Sequence, residues 1–391
     1  MAIKLQAKKE LRLVPLRFER ATSGVPDIKY PEVDDRGHTH KVPAVNGFAE
    51  SDPIRGGVVG LCKNQEISIQ MVREDIDNGA DLYLTSSDED VFTLIKPTSG
   101  GKCATGKKRK IKIKGGSFSG STPKSADLQV RFGAKDGPIV SLLKVYTFPK
   151  QQVVIQPINV TINDSTGTGG VAPSLNISTL MAQVTALWSC CGVELVAQAT
   201  QNISVSLGQA NQVLWAELNQ IFAEKWEAGT INVYIVEKLE NDALGYGFSK
   251  SVFASLGLTH PAAFLAMKDS TTDRSSEVYY CANDLAHELG HFFTLWHPSD
   301  GPSSTHAWTR FETWSMRFMM HNYNSTFRPD ISHGVTDWPD FNDFGYGTLN
   351  GYPYRAGLIS LKNVRTSAGA GKDGQCSEAR NHIGQGPASL Y

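Results

Sequence analysis

The feature that most constrains this chain is a histidine-rich segment that reads D-L-A-H-E-L-G-H-F-F-T-L-W-H from Asp284 to His297. His287 and His291 are four residues apart, so on a helix they lie roughly 40° apart around the axis and both rings can reach one metal ion. Glu288 sits one step round from that face, where its carboxylate can accept a proton from a bound water without being a ligand. The segment therefore predicts a helix that carries a metal site.

The third histidine of this segment requires a break in the helix. A straight helix would place His297 about 280° round from His287, so the chain must leave the helix near position 294 and fold His297 back. Three neutral imidazoles with an open fourth position are typical of catalytic zinc, whereas structural sites are closed and rich in thiolates. We therefore expect one catalytic Zn²⁺, held by His287, His291 and His297. The alternative is a buried helix whose histidines only form core hydrogen bonds.

The segment resembles the zinc-binding helix of the metzincin metalloproteases, whose pattern is H-E-x-x-H-x-x-G-x-x-H followed by a Met-turn. The similarity is greatest to the pappalysin-like and snapalysin-like branches and extends over about residues 150–325. It is carried by three stretches of the sequence, V-T-A-L-W-S-C-C-G-V-E-L, I-N-V-Y-I-V and L-A-H-E-L-G-H. The resemblance implies a zinc-dependent endopeptidase that hydrolyses peptide bonds through a zinc-bound water activated by Glu288. It also implies that residues between Leu244 and Ser255 form a strand that lines the cleft and pairs with an extended substrate.

The same resemblance assigns roles after the helix. In the stretch R-F-M-M-H-N-Y, Met320, or else Met319, would form the apolar floor of the Met-turn under the three histidines. Tyr323 follows Met320 by three positions, where family members with a functional tyrosine have it at two. Its proposed role is to donate a hydrogen bond in the transition state. Both methionines could equally be core residues that fill gaps.

One position departs from the family pattern, because Thr294 stands where the family has glycine. Glycine suits a left-handed exit from a helix, and a β-branched residue adopts that conformation only at a cost. We therefore hypothesise that Thr294 leaves in a right-handed or bridge conformation, with its hydroxyl bonded to the carbonyl of Gly290.

The chain of 391 residues is long enough for two ordinary domains, and its pattern changes along its length. Residues 1–55 read as an extended arm punctuated by prolines, and residues 56–148 carry six or seven short strands that suggest an immunoglobulin-like β-sandwich. The predicted strands are Glu66–Val72, Asp81–Thr85, Val91–Ile95, Lys110–Lys114, Asp127–Phe132 and Ile139–Phe148. A basic run, residues 107–114, is interpreted as the solvated face of an edge strand rather than a nucleic-acid patch.

Residues 149–391 are predicted to form a metzincin-like metallopeptidase domain with a mixed sheet. Its expected order is strand, helix, strand, helix, strand, edge strand, buried strand and zinc helix, an α/β layer arrangement. The segments are Val153–Ile162, Ile177–Trp188, Cys191–Val196, Val213–Trp226, Ile231–Val236, the stretch around Gly245 and Gly247, and Ala262–Met267. The fold class is therefore multidomain, with a β-sandwich followed by an α/β catalytic domain.

Net charge and apolar content bear on the partners and the location of the protein. The formal net charge of -1 gives no sign of nucleic-acid binding, and no apolar run is long enough to span a membrane. The N-terminus lacks a secretory signal, so either the precursor has been trimmed or any export uses no cleaved signal. Together with the two-domain plan and the proteolytic module, this favours export without a cleaved signal, as for a bacterial effector. We expect a protein or peptide substrate, and a target or secretion-machinery partner for the N-terminal domain. Two other functions stay open: a binding or toxin component with a vestigial zinc site, and a zinc amidase acting on a non-protein amide.

The six cysteines leave the redox compartment open. Cys62 could bridge to Cys103, and Cys281 or Cys376 could pair with Cys190 or Cys191, but free buried thiols fit the spacing equally well.

Overall fold

The computed structural model describes residues 16–20, 28–29, 55–73, 81–103, 108–189, 191–268, 278–295, 348–349, 352–353 and 374–385. Within these ranges the fold is mixed α/β, with many strands and few helices. None of the helices in this part of the chain is long and apolar enough to cross a membrane.

The strands up to residue 148 form two sheets. One sheet has the order β1-β4-β8-β6 and the other β2-β3-β10-β9-β5-β7. In chain order the strands are β1 (Leu16–Arg20), β2 (Ile28–Lys29), β3 (Arg55–Cys62), β4 (Glu66–Arg73), β5 (Leu82–Ser86), β6 (Phe92–Lys96), β7 (Gly101–Cys103), β8 (Lys108–Gly115), β9 (Lys124–Phe132) and β10 (Ile139–Phe148).

The two sheets share one core, to which each contributes every second residue of its strands, as the two-residue period of a strand requires. Ile69, Ile111 and Ile113 come from the smaller sheet, and Leu128 and Val145 from the larger, and all five are fully buried. The sheets therefore pack face to face. The immunoglobulin-like assignment and the domain boundaries stay predictions.

The basic run does not lie at a sheet edge, so the edge-strand interpretation is wrong. Strand β8 pairs with β4 on one side and with β6 on the other. Its isoleucines supply enough buried surface for a central position, while Lys110 on the opposite face is exposed and Lys112 is paired with Glu66. A lysine at alternate positions thus marks the solvated face of a central strand here.

The second half of the chain is built on one sheet of order β12-β11-β15-β17-β16. Strands β12, β11, β15 and β17 are parallel, whereas β16 is antiparallel to β17 at the end of the sheet. Two further strands, β13 and β14, extend it beside β11 and β15. The bounds are β11 (Gln151–Asn163), β12 (Val193–Ala197), β13 (Gln201–Ser206), β14 (Gln212–Val213), β15 (Ile231–Leu239), β16 (Gly245–Phe248) and β17 (Ala262–Lys268).

Helices cover both faces of this sheet. Helix α1 (Ile177–Ser189) and helix α3 (Val278–Phe292) pack on one face, and α2 (Leu218–Glu224) packs on the other. The central strands β15 and β17 are buried along almost their whole length, as expected for strands covered on both sides. After α3, the described residues form a small hairpin of β18 (Thr348–Leu349) and β19 (Tyr352–Pro353) and a C-terminal helix, α4 (Gly374–Gly384).

The helix predicted over Val213–Trp226 is much shorter than expected. A 3-10 turn, Trp215–Glu217, precedes α2, and the helix ends at Glu224 because Lys225 is extended. The buried Glu217 carboxylate accepts hydrogen bonds from the backbone N–H groups of Gly208 and Leu214, at 2.7 and 2.9 Å. These side-chain bonds hold the chain in a tight turn that helical spacing alone does not reveal.

The predicted Cys62–Cys103 bridge is wrong, because Cys62 is a free, buried thiol. Its Sγ lies 3.7 Å from the carbonyl oxygen of Ser189 at the end of α1. Cys191 is in a disulfide, whose partner lies outside the described side chains.

Candidate metal centre

Helix α3 carries the predicted site because its apolar residues bury it against the sheet. Leu285 and Leu289 are fully buried, and Phe292 is 1% exposed. This packing also buries His287 and Glu288, which are 3% and 7% exposed, while His291 is half-buried. Burying such groups is costly unless they find partners, so their position next to one another points to a site.

The helix ends in a Schellman motif, and this turn reaches into the site. The Thr294 N–H donates to the carbonyl of His291, and the Leu295 N–H donates to the carbonyl of Gly290, both at 2.9 Å. Thr294 has φ +67°, and its hydroxyl donates to the carbonyl of Phe293 at 2.6 Å. The hypothesis of a right-handed exit with a bond to Gly290 is therefore wrong. Threonine takes the left-handed conformation that the family pattern assigns to glycine.

The two histidine rings converge on one point. Their Nε2 atoms lie 3.1 Å apart, and the rings are perpendicular with centroids separated by 4.7 Å. Two nitrogens bound to one tetrahedral ion at about 2.0–2.1 Å lie about 3.3 Å apart, close to the spacing found here. The ligand atoms of His287, Glu288 and His291 all lie within 4.8 Å of one another, a grouping that could hold a metal ion.

The tautomer of His291 follows from its other nitrogen. Nδ1 lies 2.9 Å from the carbonyl oxygen of Leu295, and because a carbonyl can only accept, Nδ1 must carry the proton. The lone pair is then on Nε2, which faces His287. A backbone carbonyl that accepts from one ring nitrogen and so fixes the ring is typical of metal-binding histidines. These residues thus fit a metal ion through their donor set, their spacing and their tautomer.

Glu288 is placed by the close approach of strand β16. A Cβ on Gly245 would lie 2.6 Å from Glu288 Cγ and 2.9 Å from its Cδ. A Cβ on Gly247 would lie 2.2 Å from the Glu288 carbonyl oxygen and 3.0 Å from the His291 Cβ. Only glycine allows the strand and the helix to come this near. Gly245 therefore limits where the Glu288 side chain can lie, and Gly247 allows the strand to approach the helix backbone.

The charge of Glu288 affects Tyr246 on the neighbouring strand β16. The pKa of Tyr246 is raised, first by burial and then by the negative charges of Glu240 and Glu288. Tyr246 thus stays a neutral phenol beside the site.

The structure brings together three of the predicted site residues, His287, Glu288 and His291. The other predicted residues, His297, Met319, Met320 and Tyr323, lie outside the described residues. The edge strand expected between Leu244 and Ser255 is present as β16.

Two contributions to the site were missed in the sequence. The Leu295 carbonyl leaves no trace in the sequence, because any residue carries one. Glycines at alternate positions of a strand, 245 and 247, were a usable signal, since glycine inside a strand often marks a close approach of backbone.

Comparisons with known proteins do not identify a family for this chain. No protein-family model matches the chain, and no curated protein matches it. Among solved structures, mirolysin in complex with compound 9 aligns with TM-score 0.32 and 14% identity, covering 61% of this chain and 96% of the other. A Bacteroides ovatus GH5 xyloglucanase in complex with a XXXG heptasaccharide aligns with TM-score 0.20 and 10% identity, covering 67% and 59%. Both scores are too low to establish a shared fold.

Proposed function

We propose that this protein is a zinc-dependent endopeptidase. The observation that carries the proposal is the convergence of the His287 and His291 Nε2 atoms next to the buried Glu288. A site with a purely structural role would not require a carboxylate at this position, whereas a hydrolase needs a base there.

The residues have distinct roles in this proposal. His287 and His291 hold the zinc ion, and His297 is the proposed third ligand. When bound, zinc lowers the pKa of a coordinated water and polarises the scissile carbonyl. Glu288 accepts the proton of the attacking water and returns it to the nitrogen of the departing amine. Met320, or Met319, is the proposed apolar floor, and Tyr323 the proposed hydrogen-bond donor.

The substrate proposed for this site is an extended peptide. Strand β16 ends the sheet, and its outer edge has no strand partner among the described residues. Such an edge offers backbone N–H and C=O groups to an added strand, and β16 lies directly against Glu288 and His291. A peptide paired there would pass next to the histidines.

The setting of the activity is also a proposal. We propose that the protein acts after export, as an effector does, and that the N-terminal sheets contact the target or the export machinery. Detection of the native protein only inside the producing cell would contradict this.

The test of the peptidase compares wild type with Glu288→Gln for zinc content and for cleavage of casein. We expect one zinc per chain in both proteins and a fall in kcat of about a hundredfold or more in the variant, because only the proton acceptor is lost. Glu224→Gln, an exposed change on α2, is the control and should leave kcat unchanged. Undiminished cleavage by Glu288→Gln would refute the assignment. Zinc binding without cleavage by wild type would favour a binding role.

A further inference from the structure

Three aromatic side chains form a cluster beside the edge strand. The Trp215 ring packs edge-on against Tyr246 and against Phe248, with centroid distances of 5.3 Å in both cases. Tyr246 and Phe248 belong to β16, whereas Trp215 starts the 3-10 turn that precedes α2. The tryptophan therefore reaches the edge strand from a distant part of the chain.

Glu240 forms hydrogen bonds with both Trp215 and Tyr246. Its carboxylate accepts a hydrogen bond from the backbone N–H of Trp215 at 2.7 Å, and its carbonyl accepts one from the Tyr246 hydroxyl at 3.2 Å. Trp215 nevertheless remains 37% exposed, one of few large apolar side chains in the described ranges that face solvent to this extent. A fixed, exposed indole is a suitable contact for an apolar group.

The alternation of side chains along β16 places this cluster relative to the metal centre. Gly245 and Gly247 point towards α3, since their Cβ positions meet Glu288 and His291. Tyr246 and Phe248 must then point to the opposite face of the sheet, where Trp215 lies. One face of β16 thus packs against α3, and the other face presents aromatic rings.

We propose that Trp215, together with Tyr246, determines specificity by binding large apolar side chains at alternate positions of the substrate. This inference rests on the proposed peptidase function. In an added strand, residues directly opposite one another lie on the same face with Cβ atoms about 4.5–5.5 Å apart, and diagonal neighbours are within reach of aromatic rings. The substrate residue opposite Tyr246 therefore meets Tyr246 and Trp215, while its two neighbours face the side of α3.

The test is a peptide library in which each position around the cleaved bond is varied in turn. The position of the cleaved bond fixes the register of the substrate against β16. For wild type we expect large apolar residues to be favoured at one position, or at positions two apart, on the same face. Trp215→Ala should lower kcat/KM for these substrates about three- to tenfold, the range typical of one aromatic contact, and leave adjacent positions unchanged. Trp215→Phe, which keeps a ring, should retain most of the preference.

A matched control removes an equally exposed apolar side chain elsewhere. Val196 is 40% exposed on β12, at the opposite end of the sheet, so Val196→Ala should leave the profile unaltered. An unchanged profile in Trp215→Ala would overturn the inference while leaving the peptidase proposal intact.

Failure of the peptidase proposal would appear separately, as a wild type that cleaves no peptide. The inference is then tested by binding, with a fluorescein-labelled Ser/Thr nonapeptide that contains one phenylalanine. Weaker binding by Trp215→Ala than by Val196→Ala would support the aromatic contact, and equal binding would refute it.

Discussion

At the scale of single residues, Thr294 shows how a strained position can be maintained by its surroundings. Its left-handed conformation is unfavourable for a β-branched residue, yet two Schellman hydrogen bonds and its own hydroxyl bond hold it. The same turn brings the Leu295 carbonyl to His291 Nδ1. The strain at position 294 is thus coupled to the orientation of His291, a candidate metal ligand.

Replacing Thr294 with glycine should stabilise the fold. We expect Thr294→Gly to raise the free energy of unfolding by about 1 kcal/mol, because glycine adopts φ near +67° without steric cost. Urea denaturation in the presence of a chelator measures this without a contribution from bound metal. Thr294→Ala keeps the Cβ and loses the hydroxyl bond, so it should give no gain. A loss of stability in Thr294→Gly would show that the hydroxyl bond outweighs the strain.

At the scale of elements, the contact between β16 and α3 sets the geometry of the site, and its two glycines act differently. Gly245→Ala would introduce a methyl group against the Glu288 side chain and the Phe264 carbonyl. We expect kcat to fall at least about tenfold with zinc content unchanged, since a displaced base loses its alignment with the attacking water. Kinetics on a cleaved peptide and zinc analysis measure the two quantities.

Gly247→Ala would instead place its methyl group against the helix backbone. We expect it to lower the free energy of unfolding by about 1–3 kcal/mol and to weaken zinc binding, because α3 itself must move. Each variant serves as the control for the other. Full kcat in Gly245→Ala would show that this close approach does not position Glu288.

At the scale of the whole molecule, side chains distant in sequence meet near residue 149, where the N-terminal sheets adjoin the sheet that carries helix α3. The buried Arg380 of α4 donates to the carbonyls of Pro149 and Cys191, both at 2.8 Å, and lies over the Phe148 ring. Burial lowers its pKa to about 10. On the other side, the Cys62 thiol of β3 contacts the carbonyl of Ser189.

The Cys62 thiol should make stability depend on pH in alkaline solution. Burial raises its pKa from 9.0 to about 11, so between these values the folded protein retains a proton that the unfolded chain has lost. Stability should therefore fall by about 2–3 kcal/mol as the pH rises from 9 to 11. Comparing urea unfolding of wild type and Cys62→Ser across this range measures the contribution of the thiol together with its charge coupling to Arg380 and Lys150. Identical pH slopes would contradict the prediction.

Much of the architecture could be predicted because local patterns agreed with the final packing. The strand Ile139–Phe148 has the predicted bounds, and the helix starting at Ile177 ends one residue later than expected. Predictions failed where distant groups decide the local structure. The turn before α2 depends on the hydrogen bond between Glu217 and Gly208. The central position of β8 depends on its two strand partners. The left-handed conformation of Thr294 depends on the hydrogen bonds around it.

The sequence by itself determined the pairing of His287 and His291 around one point, because helical spacing places residues four apart on the same side. It also determined which side chains within a strand are buried, since apolar periodicity follows the sheet faces. Only the tertiary structure decided how the site is completed: the Leu295 carbonyl orients His291, and β16 confines Glu288. These contacts join groups whose identity is unremarkable in the sequence, and their effect depends on distances that only the folded chain establishes.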